Sequence, residues 1–251
     1  MNIVASIQAR MGSSRLPGKV LADVCGKPML LWQVDRVRNS RLIDDVVVAT
    51  TNNKIDDEIA CFCLKHKIKC YRGSEHDVLE RISSLIKYFN IDVHVELCGD
   101  SPLSDPQIID EFIGYYLKYK KNVDFVSSTS KTTYPPGFEV TLYPSKALLE
   151  VDQIVKKDDP MREHVGYNIT RFPNKFRCQI LEAPFWLMRP DTYLEVDTHE
   201  DLILLRNIVG YFVTKNQEHF GLSEVLKFLR DHPDLTKRNK YVERRWKTLY
   251  S

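Results

Sequence analysis

No two cysteines in this chain are spaced C-x-x-C, which disfavours a zinc ribbon or a thioredoxin-type centre. No apolar stretch approaches the roughly 18–20 residues of a membrane span, and the chain opens without the basic flank, length or cleavage pattern of a secretory leader. Net charge is scarce too: 36 basic against 34 acidic residues leave +2, far from the strongly basic balance of a nucleic-acid-binding face. Anion binding therefore has to be local. Glycine and proline number only 10 and 12 and no segment is of low complexity, so neither a fibrous repeat nor a disordered chain is indicated. What is present is 43% hydrophobic residues in a chain of 251, enough to build a full core. The six cysteines, at 25, 61, 63, 70, 98 and 178, are expected to be reduced and mostly buried in a cytoplasmic protein.

Strand-like and helix-like runs alternate through the first half, the pattern of a largely parallel sheet covered on both faces. Strands are expected at Ile3 to Ala9, Val46 to Thr50, Ile68 to Tyr71, Ile91 to Cys98 and Val123 to Ser127. Between them, helices put Leu30, Val34 and Val37, then Ile55, Ile59 and Phe62, then Val78, Leu79, Ile82, Leu85, Ile86 and Phe89 on inner faces. Asp105-Pro106 supplies an N-cap and first-turn proline for a helix carrying Ile108, Ile109, Phe112, Ile113 and Tyr116. Thr132 to Gly137 reads as a polar, proline-bearing loop and a mobile flap. Beyond Glu139 follow a strand, a helix, a second helix from about Pro160, and strands near Phe176 to Leu181 and Tyr193 to Val196. Thr198 with Asp201 forms a capping-box-like start for the helix of Leu202, Leu205 and Val209. No linker is visible, so residues 1–251 read as a single domain: a nucleotide-binding half to about 128, an acceptor and dimerisation half from 129 to 230, and a basic arm from 231 to 251.

Arg10-Met-Gly-Ser-Ser-Arg-Leu-Pro-Gly-Lys19 leaves the end of the first strand, where open α/β sheets place their ligands. Cationic side chains beside serines and glycines suit a polyphosphate, since backbone N–H groups can approach where no Cβ intrudes. The loop is not a P-loop. Counting from Gly12, five residues precede Gly18-Lys19 rather than four, and Val20 stands where a magnesium-binding Ser or Thr belongs. No G-x-G-x-x-G dinucleotide fingerprint occurs either. The run through Lys19-Val-Leu resembles the opening signature A-R-x-x-S-x-R-L-P-G-K-x-L of the cytidylyltransferases that activate sugar acids, the 3-deoxy-manno-octulosonate and acylneuraminate enzymes. It is most similar to the spore coat polysaccharide biosynthesis protein F group. The resemblance continues in order through Arg72-Gly-Ser-Glu-His-Asp77-Val-Leu, Gly99-Asp100-Ser-Pro102, Arg162-Glu-His164-Val and Val196-Asp197-Thr-His-Glu-Asp-Leu202, spanning roughly residues 2 to 205.

The resemblance implies a three-layer α/β/α sandwich of the nucleotide-diphospho-sugar transferase, Rossmann-like kind, with a mostly parallel mixed sheet. It also implies a homodimer that transfers CMP from CTP to a small sugar acid and releases pyrophosphate, for cell-surface polysaccharide synthesis. Transfer of this kind needs Mg2+, which prefers carboxylate and phosphate oxygens. Asp100 and Asp197, each at a strand end, are the metal ligands on this reading; a turn-forming and a helix-capping aspartate are the alternatives. Arg10 and Lys19 join them as catalytic residues. Ala9, Arg10, Gly12, Ser13, Ser14, Arg15, Lys19, Arg72, Gly73, Ser74, Asp77 and Asp100 form the nucleotide site. Arg72 is chemically apt for cytosine, whose carbonyl and ring nitrogen both accept hydrogen bonds. Arg162, Glu163 and His164 face the acceptor, with Arg162 able to pair with its carboxylate. Ser101 and Cys98 depart from the octulosonate pattern, which has Glu and Gln there. A glycosyltransferase on a similar fold and a non-catalytic nucleotide-binding module stay open. The first usually carries Asp-x-Asp, which is absent here, Glu195-Val-Asp197 being the nearest imitation.

Overall fold

The computed structural model describes residues 1–129 and 131–244. In chain order the elements are β1 (Ile3–Gln8), a small antiparallel pair β2 (Asp23–Val24) and β3 (Lys27–Pro28), α1 (Met29–Val37), β4 (Asp45–Thr51), α2 (Asp57–Lys65), β5 (Lys69–Gly73), α3 (Val78–Tyr88), β6 (Val93–Cys98) and α4 (Pro106–Tyr119). Then come β7 (Phe125–Ser127), β8 (Thr141–Pro144), α5 (Ser145–Ile154), α6 (Tyr167–Thr170), β9 (Cys178–Ile180), α7 (His199–Thr214), α8 (Leu222–Asp231) and α9 (Asp234–Lys237). Seven strands form one sheet in the order β5-β4-β1-β6-β8-β7-β9. It is parallel except for β8, which runs antiparallel to both β6 and β7.

Alternation along the strands sends side chains to two apolar layers. Ile3, Ala5, Ile7, Val95 and Leu97 meet the inner faces of α1, α4, α7 and α8; Val4, Val47 and Ala49 meet α3 and α5. Helix starts follow local chemistry. Asp105 accepts from Gln107 N at 2.9 Å ahead of Pro106, and Thr198 with Asp201 closes a reciprocal capping box at α7. Strand order reverses between β1 and β6: from β1 the chain adds β4 and β5 on one side, then crosses to place β6 on the other. The crevice at that switch point is where ligands enter such sheets.

Several expectations are corrected. Thr132 to Gly137 is no flap: Thr133, Tyr134, Pro135, Pro136 and Gly137 are buried. Ala183 N bonds Thr133 Oγ1 at 2.8 Å and Leu194 N bonds Pro136 O at 2.8 Å, so the loop is tied down from both sides. Gly137 has φ +104°, and a Cβ there would lie 2.6 Å from Glu195 N, so only glycine fits. Tyr193 to Val196 is extended but joins no sheet, because its bonds go to the Pro136 and Asp100 carbonyls instead of a strand. The helix from Pro160 is a 3-10 turn, Pro160–Glu163, followed by the short α6. Ile55 lies 56% exposed, off the inner stripe of Ile59 and Cys63. Of the cysteines only Cys63 is buried, while Cys25, Cys61, Cys98 and Cys178 are exposed; all six are free thiols. The arm from Asp231 includes α9 as far as Lys237, and its residues 245–251 lie outside the described residues.

Candidate active site

At the switch point Gly99 ends β6 so close to β1 that a Cβ would sit 2.7 Å from Gln8 O; the absence of a side chain lets the two strand tips come together. The basic loop leaves β1 here. It folds back on Met11, whose carbonyl accepts from Ser13 N and Gly18 N, and whose N–H donates to Asp56 Oδ1 at 2.7 Å. Gly18, at φ +70°, turns the chain into a 3-10 turn that starts at Lys19 and aims its side chain inward. From the other side, the extended segment before α7 is fixed when Val196 N donates to Asp100 O at 2.8 Å.

Lys19 consequently stands among the acids. Its Nζ donates to Val196 O at 2.7 Å and to Asp197 Oδ1 at 2.8 Å, and lies 3.7 Å from Asp100 Oδ2. Arg15 Nη2 reaches the other Asp197 oxygen at 2.6 Å. Burial pushes the Lys19 ammonium down, but Asp100 and Asp197 more than offset it and its pKa is raised. Four residues predicted for the site, from three separate stretches of sequence, are thus brought into one charge cluster.

Others are placed around it. Ala9 is buried at the strand end and bonds Ala49 O, while Gly12 and Ser14 are exposed or half-exposed on the loop with Ser13 beside them. Arg10 is solvent-facing, 3.9 Å from Glu75. Arg72 holds the tip of β4: its donors go to Thr51 O, Asn53 O and Asp57 Oδ1 at 2.6–2.9 Å. Gly73 packs under Arg81, Ser74 Oγ accepts from Asp77 N at 3.0 Å, and Asp77 caps α3 through Glu80 N at 2.9 Å.

Arg162 is a correction. Its side chain is 2% exposed, with Nε on Asp77 Oδ1 at 2.8 Å, Nη1 on Val155 O at 3.0 Å and Nη2 on Asp152. Burial opposes its charge, and the hydrogen bonds it donates to the two acids override that and raise its pKa. It fastens α3 to the segment after α5, with all three of its nitrogens engaged within the protein. The same pairing engages Asp77 away from the nucleotide loop. Glu163 is exposed, and His164 is half-buried, its carbonyl taken by Asn168 Nδ2 at 2.7 Å.

Sequence reasoning passed over two sets of groups. The arm returns to the site: Arg15 Nη1 donates to Glu243 O at 3.0 Å, and Arg244 and Asn239 bind Asp201, which in turn accepts from Asp197 N at 3.0 Å. Burial raises the Asp201 pKa, but bonds from Arg244 and Asn239 outweigh it and leave it lowered. Glu96 and Glu139 sit near the floor of the crevice, half open to solvent yet ringed by protein, and burial pushes both carboxyls up to about 7. The signal for Glu96 was available: an acid in an otherwise apolar strand run, two residues from His94.

Among the described residues no cluster of three or more His, Cys, Asp or Glu side chains could hold a metal alone. The Asp100 and Asp197 pair offers two carboxylates, a donor set that fits Mg2+ completed by phosphate oxygens.

The cytidylyltransferase family pattern matches residues 4–232. Spore coat polysaccharide biosynthesis protein SpsF of Bacillus subtilis is 31% identical over 93% of this chain and 96% of its own. A cytidylyltransferase structure from Leptospira borgpetersenii superposes with a TM-score of 0.87 at 28% identity, covering 97% of this chain and 100% of that one. The structure of CMP:2-keto-3-deoxy-manno-octonic acid synthetase in complex with CTP shares the fold, with a TM-score of 0.61 at 19% identity over 84% of this chain and 99% of that one. The family pattern, the relative matched over nearly its whole length and the superposition agree: this chain is a nucleotidyltransferase and belongs to the cytidylyltransferase family.

Proposed function

We propose that this protein is a Mg2+-dependent enzyme that transfers CMP from CTP to a sugar acid, a 2-keto-3-deoxy sugar of the octulosonate or nonulosonate kind, and releases pyrophosphate, supplying an activated sugar for a cell-surface polysaccharide. The observation that carries it is Lys19 held between Asp100 and Asp197 with Arg15 on the far oxygen of Asp197. Cations already facing acids at a sheet switch point are poised to exchange those acids for a triphosphate and its metal. The acceptor class and the polysaccharide role draw on what the relatives are named for, SpsF and the octonic acid synthetase. A cytoplasmic homodimer is part of the same proposal.

Arg10, Arg15 and Lys19 would neutralise the triphosphate and favour the departure of pyrophosphate. Asp100 and Asp197 would hold Mg2+, which supplies charge neutralisation at the phosphates. Arg72, with Gly73 and Ser74, would border the nucleoside, and His164 the acceptor. The acceptor oxygen bonds to the α-phosphorus as the bond to the bridging oxygen breaks. Pyrophosphate leaves with the electron pair, and the hydroxyl proton passes to solvent. No covalent enzyme intermediate is needed, so catalysis consists of positioning and electrostatics.

Melting curves with CTP, UTP, ATP and GTP, each with and without Mg2+, test the nucleotide assignment. A ligand at ~100 times its dissociation constant adds about 2.7 kcal/mol, a readily visible shift. Selective stabilisation by CTP with Mg2+ is expected; stabilisation by UDP-sugars in preference would overturn the proposal in favour of a glycosyltransferase. Pyrophosphate release with CTP against octulosonate and nonulosonate acceptors then tests the transfer.

A further inference from the structure

One face of the sheet carries a polar stripe through an otherwise apolar layer. Ser6 and Gln8 of β1 stand opposite Glu96 and Cys98 of β6, and His94 and Glu96 stand opposite Tyr143 and Thr141 of β8. Glu139 lies two residues before β8, near enough for its charge to act on Cys98. The deep end of the stripe is a hydrogen-bonded chain: Ser6 Oγ lies 2.7 Å from His94 Nε2, His94 Nδ1 lies 2.9 Å from Tyr143 Oη, and Tyr143 Oη donates to Glu96 Oε2 at 2.9 Å. Tyrosine spends its one proton on Glu96, so His94 must carry its proton on Nδ1 and accept from Ser6. Burial pushes His94 down to about 3, which keeps it neutral. Every donor in the chain thus points toward Glu96.

Gly166 N adds a bond of 3.0 Å to the same oxygen, Glu96 Oε2. The other, Oε1, has a longer contact of 3.3 Å with Gln8 Nε2. One carboxylate oxygen is therefore saturated from behind while the other is lightly held at the half-open end. Glu139 is braced by Gly137 N at 2.7 Å. Between these two acids lies the exposed thiol of Cys98. The strongest charges acting on it are Asp100, Glu96 and Glu139, with Lys19 the cation among them. Lys19 itself is engaged by Asp197. The floor of the crevice next to the reacting acids is thus lined by hydrogen-bond acceptors.

We infer that Glu96 and Glu139 form an acceptor subsite that selects for hydrogen-bond donors: the part of the acceptor remote from the reacting hydroxyl carries hydroxyl or ammonium groups that these carboxyls receive. An acid group at that end meets two carboxylates and is rejected. The inference rests on the nucleotide assignment above and specifies the substrate side of the same site. It leaves the acceptor's own carboxylate at the reacting end, away from the two glutamates. Both glutamates are specificity-determining residues that touch the acceptor.

The experiment uses the full chain, CTP and Mg2+, and sugar acids of matched skeleton that bear hydroxyl, ammonium, hydrogen or carboxylate at the end remote from the reacting hydroxyl. Calorimetric titration with CTP is run first on the wild type and on Glu96→Gln and Glu139→Gln. All three are expected to bind alike, and failure of the wild type to bind CTP would sink the nucleotide assignment itself. Pyrophosphate release then reports the acceptor. The hydroxyl and ammonium compounds are expected to turn over. Each variant should raise KM for them about 10- to 100-fold, the worth of a bond to a charged acceptor, with a smaller change in kcat. The ammonium compound should suffer most, because the lost charge mattered most to it. Melting curves verify that both variants are folded, and Glu139→Asp, which keeps the charge, should recover part of the loss. Wild-type KM in both glutamine variants, equal use of the remote-carboxylate compound, or a CTP-binding wild type inactive with every donor-bearing acceptor overturns the inference.

Discussion

Lys19 Nζ lies 2.8 Å from Asp197 Oδ1, joining residues 178 positions apart in sequence through side chains that are 10% and 12% exposed. A pair this enclosed cannot lose one member quietly. Lys19→Met keeps the apolar stem but leaves Asp100 and Asp197 facing each other with only Arg15 nearby. Pyrophosphate release is expected to fall about 10²- to 10³-fold, as when one electrostatic contact to a developing charge is removed. The ligand-free protein should also lose ~2–3 kcal/mol, somewhat under the usual cost of stranding a buried charge because Arg15 remains. Adding Asp197→Asn should return part of that stability and none of the activity. Denaturant melts of the single and double variants measure this coupling, and strict additivity would contradict it.

Arg162 separates two readings of one motif. As an acceptor clamp, its loss would raise acceptor KM; as a buried fastener of Asp77 and Asp152, its loss should strike stability. Arg162→Met is expected to cost about 3 kcal/mol, since two acids are left with a partner removed, while acceptor KM in the fraction that stays folded changes less than about threefold, within the spread of an uninvolved residue. Thermal melts and steady-state kinetics on the same preparation check both halves. An unchanged melting temperature with a large rise in KM would restore the acceptor role.

Arg244 and Asn239 carry the arm onto Asp201, and through Asp201 Oδ2 onto the backbone of Asp197. The Asp201 pKa is lowered in the folded chain. Its contribution to stability is therefore full above the unfolded value near 4 and fades as pH falls below it toward the folded value. Arg244→Ala should destabilise the protein by ~2–4 kcal/mol at pH 7, and by progressively less as pH falls below about 4. Melting temperature against pH for the two proteins would show curves that converge on the acid side. Parallel curves would mean that the Arg244 contact with Asp201 contributes nothing electrostatic.

Legibility in the sequence tracked how local the cause was. β1, β4, β6 and the helices between them follow from apolar spacing, and the caps at Asp105 and Thr198 from residues within four positions. Lys19, Asp100 and Asp197 were legible as a group because the first two follow the strands β1 and β6 and the third precedes the capped start of α7, element ends that the sequence marks. Arg162 was misjudged because its partner Asp77 lies 85 residues away, and nothing local distinguishes a buried arginine from a ligand-facing one. Thr132 to Gly137 looked like a flap by composition, but Tyr134 packs against Phe112 and Pro136 O is held by Leu194 N, both long-range contacts. Glu139 was invisible for a topological reason. Only the antiparallel insertion of β8 beside β6 turns it toward Cys98 and Asp100, and alternating α/β patterning predicts parallel neighbours.

Glu96 links the acceptor proposal to a measurable cost in stability. Burial pushes its carboxyl up to about 7 despite bonds from Tyr143, Gly166 and Gln8. An unfolded glutamate titrates near about 4.3. The folded state therefore binds the proton more tightly, and stability is lost as pH rises from about 4.3 to 7. Glu96→Gln removes the titration while keeping an oxygen for Tyr143 and Gly166. Its melting temperature should match the wild type near pH 4 and exceed it at pH 8, where the gain is at most ~4 kcal/mol, each tenfold difference in proton affinity being worth about 1.4 kcal/mol. The same variant is the one expected to lose acceptor affinity. A side chain kept at the expense of stability and needed for substrate is what a binding carboxylate in a half-buried floor should be. Melting temperatures from pH 4 to 8 for wild type and Glu96→Gln decide it: a variant less stable than the wild type at pH 8 would show that the charge on Glu96 supports the fold rather than the substrate.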